Sequence, residues 1–186
     1  EICDGITAID FKNIGQIGQY AFCDCDGIAA VDLKNTEKID YEAFYGCDKL
    51  KSLIVSKSAS EIGGSAFGSC TSLESVTFSY NDAVYNTGSG SQLHGLTIGG
   101  GAFSGCTSLS SVTLTENVTR IEAGAFDGCT SLKSLVLPER ITSLGSYMLR
   151  GTSVSSITVP RNVAQVERPY YAHENGPFSG ALDLKE

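Results

Sequence analysis

The stretch Ile98-Gly-Gly-Gly-Ala-Phe-Ser-Gly-Cys-Thr-Ser-Leu-Ser-Ser-Val-Thr-Leu114 decides the fold, because its apolar residues return along the chain at one spacing. The cysteines set the grid: Cys3, Cys25, Cys47, Cys70, Cys106 and Cys129 follow one another at 22, 22, 23, 36 and 23 residues. An isoleucine opens each unit at Ile17, Ile39, Ile62, Ile98 and Ile121, and Leu144 stands in the same place. Next come Ala21-Phe22, Ala43-Phe44, Ala66-Phe67, Ala102-Phe103 and Ala125-Phe126, with Met148-Leu149 in the unit of Leu144. A leucine or isoleucine follows each cysteine, as Ile6, Ile28, Leu50, Leu73, Leu109 and Leu132.

An alternating apolar pair closes each unit: Ile9/Phe11, Val31/Leu33, Leu53/Val55, Val76/Phe78, Val112/Leu114, Leu135/Leu137 and Ile157/Val159. Alternation with β-branched residues predicts a short strand with one buried face. Val118, Ile141 and Val163, each three residues before the next unit's opening position, predict a second short strand on the opposite wall. Glycine runs such as Gly63-Gly64 and Gly99-Gly100-Gly101 predict a tight corner rather than a helix before Ala-Phe. Self-similarity at roughly 20–29 residues marks a leucine-rich solenoid, in which a unit buries its apolar face only by stacking on its neighbours. The expected fold is a β-rich, right-handed leucine-rich repeat superhelix of about seven coils of 22–23 residues, with a parallel sheet on one face.

Two segments depart from the grid. Residues 1–165 read as the solenoid, carrying an insertion at 79–97, and residues 166–186 read as an irregular terminal coil or cap. Within the insertion, Val84-Tyr85-Asn86, a Gly/Ser turn and Gln92-Leu93-His94 predict a β-hairpin that leaves the stack. In the tail, Pro177-Phe178-Ser179-Gly180-Ala181 resembles Ala-Phe-Ser-Gly-Cys with alanine in the cysteine slot. The chain opens in mid-coil at Cys3, without a charged-then-apolar leader or polar cap, which reads as a piece of a longer protein.

The grid cysteines read as a buried, reduced ladder, because stacked coils about 4.8 Å apart would hold their Cβ vectors parallel, unlike a disulfide. Thr152 takes that slot in the coil of Leu144. Cys23, in a column with Tyr45, Gly68, Ser104, Asp127 and Arg150, is expected near the surface. The pair Cys23/Cys25 has one residue between its thiols, whereas zinc sites favour roughly two to four, so neither metal nor cofactor is expected.

A net charge of −8, with 13 scattered basic residues, argues against nucleic-acid binding. No apolar run is long enough to insert in a membrane. Catalysis is not expected either, since the only histidines, His94 and His173, are separated by three coil starts. Asn117-Val118-Thr119 is an N-glycosylation sequon, meaningful in a eukaryotic secretory source.

The recurring pattern Ile-Gly-x-x-Ala-Phe-x-x-Cys-x-x-Leu-x-x-Val-x-Leu resembles the BspA-like leucine-rich repeat family, over roughly residues 3–166. That resemblance implies a non-catalytic adhesion or protein-interaction domain, at the cell surface or secreted, with a protein or glycan ligand. The alternative is a structural spacer within a larger surface protein; either would be a monomer. Two surfaces are candidates for a partner. One is the projecting aromatic and imidazole groups Tyr80, Tyr85 and His94, with Tyr170 and Tyr171 in the tail. The other is the outward face of the predicted sheet, at Ser75, Thr77, Ser111, Thr113 and Ser134. Its residues are small and uncharged, which also suits a plain soluble sheet surface.

Overall fold

A computed structural model of the chain describes residues 3, 5–79, 95–166 and 176–181. Among them the elements are eleven short strands, and no helix occurs. In chain order these are β1 (Gln16–Ile17), β2 (Ala30–Leu33), β3 (Lys38–Ile39), β4 (Ser52–Val55), β5 (Glu61–Ile62) and β6 (Ser75–Phe78). They continue as β7 (Leu96–Ile98), β8 (Ser111–Thr113), β9 (Val118–Ile121), β10 (Ser143–Leu144) and β11 (Gln165–Val166). All pair in parallel, each with the equivalent strand one coil away, which makes the leucine-rich solenoid anticipated from the repeat.

Each coil has three walls. The opening isoleucines lie on a seven-stranded sheet ordered β1-β3-β5-β7-β9-β10-β11, and the alternating pairs lie on a four-stranded sheet, β2-β4-β6-β8. Between these runs the Ala-Phe wall. It contains no strand, yet it carries its own ladder: Phe22 N–H donates to Ala43 O (2.7 Å), Phe44 to Ala66 (2.7 Å), Phe67 to Ala102 (2.8 Å) and Phe103 to Ala125 (2.8 Å). Two residues of this wall in each coil take left-handed backbone conformations that turn its corners. One such column runs Tyr20, Glu42, Ser65, Gly101, Gly124 and Tyr147, with φ of 51–64°.

The columns read from sequence are the core. Phe44, Phe67, Phe103 and Phe126 are fully buried. Phe22, Phe44, Phe67, Phe103 and Phe126 stack along the axis with centroids 5.1–5.6 Å apart, and Phe11 meets the first two edge-on. Aromatic contacts of this kind add to the area each ring buries. The cysteines stand as thiols, and four of the buried ones donate their S–H to the phenylalanine carbonyl of the preceding coil. The Sγ–O distances are 3.1 Å for Cys47 to Phe22, 3.2 Å for Cys70 to Phe44, and 3.1 Å for both Cys106 to Phe67 and Cys129 to Phe103. The cysteine is therefore a small apolar filler that also satisfies a buried carbonyl.

Thr152 breaks that pattern in a compensated way. Its Oγ1 donates to Leu149 O of its own coil (2.8 Å). That carbonyl would otherwise face Ala181, which has no side-chain donor to give it. In the same coil Val154, fully buried, fills the leucine slot with one residue fewer in the connection.

Four details differ from the sequence reading. The four-stranded sheet is narrower than seven alternating pairs imply, because Ile9/Phe11, Leu135/Leu137 and Ile157/Val159 form no strand. After the last two pairs stand Pro138 and Pro160, in the position from which Ser79 N–H donates to Val55 O (2.9 Å), and proline has no such donor. The continuous sheet is thus the opposite wall. The excursion is also shorter than 79–97: Ser79 still bonds Val55, while Leu96 and Thr97 already belong to β7. Finally, the described part of the tail, Val166 and residues 176–181, keeps the repeat. Val166 lies in β11, and Leu149 N–H donates to Pro177 O (3.4 Å) and Gly151 N–H to Gly180 O (2.7 Å), so Pro177 to Ala181 stack in register.

Close approach of coils is tightest at Gly145, where an added Cβ would lie 2.2 Å from the backbone nitrogen of Ala123. At Gly100 the nearest atom would be 3.5 Å away. Gly145→Ala should therefore cost about 1–3 kcal/mol by forcing backbones apart, while Gly100→Ala should be near neutral in a thermal melt. Phe103→Ala and Leu109→Ala should cost about 3–5 and 2–5 kcal/mol through cavities in the stack. Burial pushes the thiol of Cys106 from its ordinary 9.0 up to about 12 and raises that of Cys129 further. The folded chain thus keeps protons that the unfolded chain releases above pH 9, so stability should fall as pH rises from about 9 towards 12. Cys106→Ala should flatten that fall in urea melts across the range.

Candidate functional site

The predicted sheet face is present in its central part. Ser75 pairs with Ser111 and Thr77 with Thr113 across β6 and β8, and Ser52 and Ile54 of β4 extend both ranks in the other direction. Thr77, Ser111 and Thr113 are exposed and Ser75 is half-buried. Ser134 is exposed on the following coil but lies beyond the last paired strand. The face thus offers two ranks of short side chains on the sheet, continued past its last strand by Ser134 and by Val136, which is 81% exposed. Tyr80, Tyr85, His94, Tyr170 and Tyr171 lie outside the described residues.

The base of the excursion is visible nevertheless. At the loop corner preceding the continuous sheet, Asn35 Nδ2 donates to Lys12 O (2.7 Å) and Asn162 Nδ2 to Glu139 O (2.9 Å), each one coil back. Asn117 holds the same place but reaches Lys57 O (3.4 Å), two coils back. The repeat is interrupted in sequence between Ser79 and Gly95, and Asn117 reaches across that coil. Its Oδ1 also accepts from Thr115 Oγ1 (2.5 Å), and the residue is only 5% exposed. The sequon asparagine is therefore a buried structural bridge in the folded chain, and its amide is not presented for a glycan.

The other outward surfaces carry the charge. On the continuous sheet Lys38 lies between Asp40 (3.1 Å) and Glu61 (3.3 Å), and Gln16 Nε2 donates to Asp40 (3.0 Å). The Lys38 hydrogen bond holds the Asp40 carboxyl below its ordinary value. Arg120 pairs with Glu122 (3.2 Å), whose other oxygen accepts from Gly100 N–H (3.1 Å). On the Ala-Phe wall Arg150 pairs with Asp127 and lies 5.1 Å from the Tyr147 ring centroid. At the other end of that wall Tyr20 and Tyr41 meet edge-to-face at 5.7 Å. Cys23, half-buried there, has its thiol pushed up to about 11 by burial and by the charge of Asp24, whose carboxylate accepts its S–H (3.5 Å). Such a thiol is a poor nucleophile and a poor metal ligand. Among the described residues no group of three His, Cys, Asp or Glu gathers as a metal site.

The family description "BspA type Leucine rich repeat region" matches residues 1–91 and 94–175, in six copies. The chain belongs to the BspA-type leucine-rich repeat family. Comparison with curated proteins found no match. Among solved structures, this BspA-type chain is similar to the leucine-rich repeat protein TpLRR of T. pallidum, with 28% identity and a TM-score of 0.67. That match covers 83% of the chain and 68% of TpLRR. Leucine-rich repeat proteins of Bacteroides ovatus and Eubacterium ventriosum share the fold, at 22% and 18% identity with TM-scores of 0.51 and 0.58. They are matched over 84% and 80% of this chain, which spans 50% and 44% of their length.

Asn117→Ala should cost about 1–3 kcal/mol, since it leaves the Lys57 carbonyl without its side-chain donor and empties a buried site. The check is a urea melt beside Asn35→Ala, which removes the equivalent bond at an exposed corner and should cost less.

Proposed function

We propose that this BspA-type domain is a non-catalytic protein-interaction module of a cell-surface or secreted protein, with a protein or glycan as its ligand. The observation that carries the reading is the two-sheet scaffold, which presents flat ranks of side chains and into whose repeat the sequence inserts extra residues between Ser79 and Gly95. Function commonly sits on loops held by a scaffold that does not move. Membership of the repeat family supports an interaction role over an enzyme. Among the described residues no helix is long and apolar enough to cross a membrane.

A structural spacer is the second reading, favoured by the sheet face itself. Ser75, Thr77, Ser111, Thr113 and Ser134 include none of the Trp, Tyr or Arg side chains that dominate binding energy. A screen of the purified chain against extracellular matrix proteins, mucins and glycans separates the two readings. It should run beside Ser111→Arg/Thr113→Arg and Tyr80→Ser/Tyr85→Ser variants. The interaction reading expects a saturable ligand that is lost in one variant and kept in the other. Absence of any ligand across the panel would favour the spacer.

A further inference from the structure

We propose that the Ala-Phe wall of the two coils opening at Ile17 and Ile39 docks a Lys/Arg-rich segment of a partner protein, gripped by the rings of Tyr20 and Tyr41 and by the carboxylates around them. The inference rests on the interaction-module reading and names a different surface from the sheet face and the excursion.

The patch is aromatic first. Tyr20 is 54% and Tyr41 43% exposed, and they are the only aromatic residues so exposed among those described. The backbone ladder fixes the pair, because Tyr20 N–H donates to Tyr41 O (3.2 Å), so their edge-to-face contact is built into the coil register. One edge of Tyr41 rests on the next coil, where a Cβ at Gly64 would lie 3.4 Å from the ring. Later coils carry Gly64 and Ser65, Gly100 and Gly101, and Ala123 and Gly124 at the matching positions, so the rings stand above a low floor of small residues. An exposed aromatic pair held rigidly loses little freedom when a partner covers it.

Charge selects the occupant. The two equivalent wall segments, Gly18 to Gly27 and Asp40 to Lys49, hold five carboxylates against one cation, Lys49. Asp40 is engaged by Lys38, but Asp24, Asp26, Glu42 and Asp48 have no basic partner among the described residues. Asp24 and Asp26 lie on one coil; Asp48 and Glu42, which accepts a hydrogen bond from Tyr41, lie on the next. Tyrosine faces attract ammonium and guanidinium groups, and nearby carboxylates strengthen and orient that attraction. The same wall on the next coil has neither an exposed ring nor a charged side chain, since Ile62 to Leu73 contains no Asp, Glu, Lys, Arg, His, Tyr or Trp. The basic segment is therefore held at this end of the wall, not along its whole length.

The test uses a fluorescein-labelled octalysine peptide and anisotropy at about 50 mM and about 300 mM salt, where screening differs strongly. Binding is expected at the lower salt and is weakened at the higher. Tyr20→Ser/Tyr41→Ser places the residue types of Ser65 and its neighbours at these corners, so the melt should hold. It should weaken binding by about 5- to 30-fold, the combined effect of two cation–π contacts. Asp24→Asn/Glu42→Gln should weaken it comparably. Glu74→Gln/Glu139→Gln removes the same charge from other exposed positions and should change it by less than about 2-fold. The proposal is overturned if the parent does not bind octalysine, if the tyrosine variant binds as the parent does, or if the distant charge variant loses as much. It is also overturned if a neutral oligosaccharide displaces the peptide while the carboxylate variant stays inert. Those failures leave the interaction reading standing, because the ligand panel is mapped by substitutions on other surfaces.

Discussion

Every coil must give its backbone hydrogen bonds to the next at one fixed register, and the rest of the structure follows from that constraint. Three walls carry ladders at once: the continuous sheet, the four-stranded sheet and the Ala-Phe wall. A shift of one residue on any wall would strand donors and acceptors on the other two and turn core side chains outward. Columns of like residues are the result. Phenylalanine rings stack on rings, and each thiol meets the carbonyl one coil back.

Departures are tolerated where a second change absorbs them. Thr152 serves Leu149 O within its own coil, and Ala181 in the next slot makes no demand on that carbonyl. The repeat is interrupted in sequence between Ser79 and Gly95, and Asn117 bridges to Lys57 two coils back. The buried walls are thereby kept while the outside varies. The variation falls on the Ala-Phe wall, where Tyr20, Tyr41, Tyr147 and Arg150 stand in the first and later coils and small residues in the middle ones. A change of side chain at those positions leaves every ladder intact.

Much of the fold was legible because burial in a solenoid repeats. Isoleucine, Ala-Phe, cysteine and leucine columns each occupy one environment, so a period counted on the cysteines found the core, including the register of Pro177 to Ala181. The extent of each sheet was not legible. Leu135 and Leu137 alternate as well as Leu53 and Val55 and are equally inward, yet they form no strand, and a proline after the pair is the local difference. For the candidate surfaces, sequence pattern found the serine and threonine ranks by their period of two. It passed over Tyr20 and Tyr41, which sit in adjacent columns and touch only because the left-handed corner brings them together. It also read Asn117 as a modification signal, since nothing local shows that the amide crosses two coils to Lys57.

By itself, then, the sequence determined the coil length, the buried columns and the membership of a repeat family, because these depend on side-chain type recurring at a fixed interval. Only the tertiary structure decided which wall carries the continuous sheet, which asparagine amide is buried and which aromatic and acidic groups share a surface. Those outcomes depend on hydrogen bonds and contacts between residues 21 to 60 positions apart, such as Tyr20 with Tyr41 and Lys57 with Asn117, and no local pattern records them.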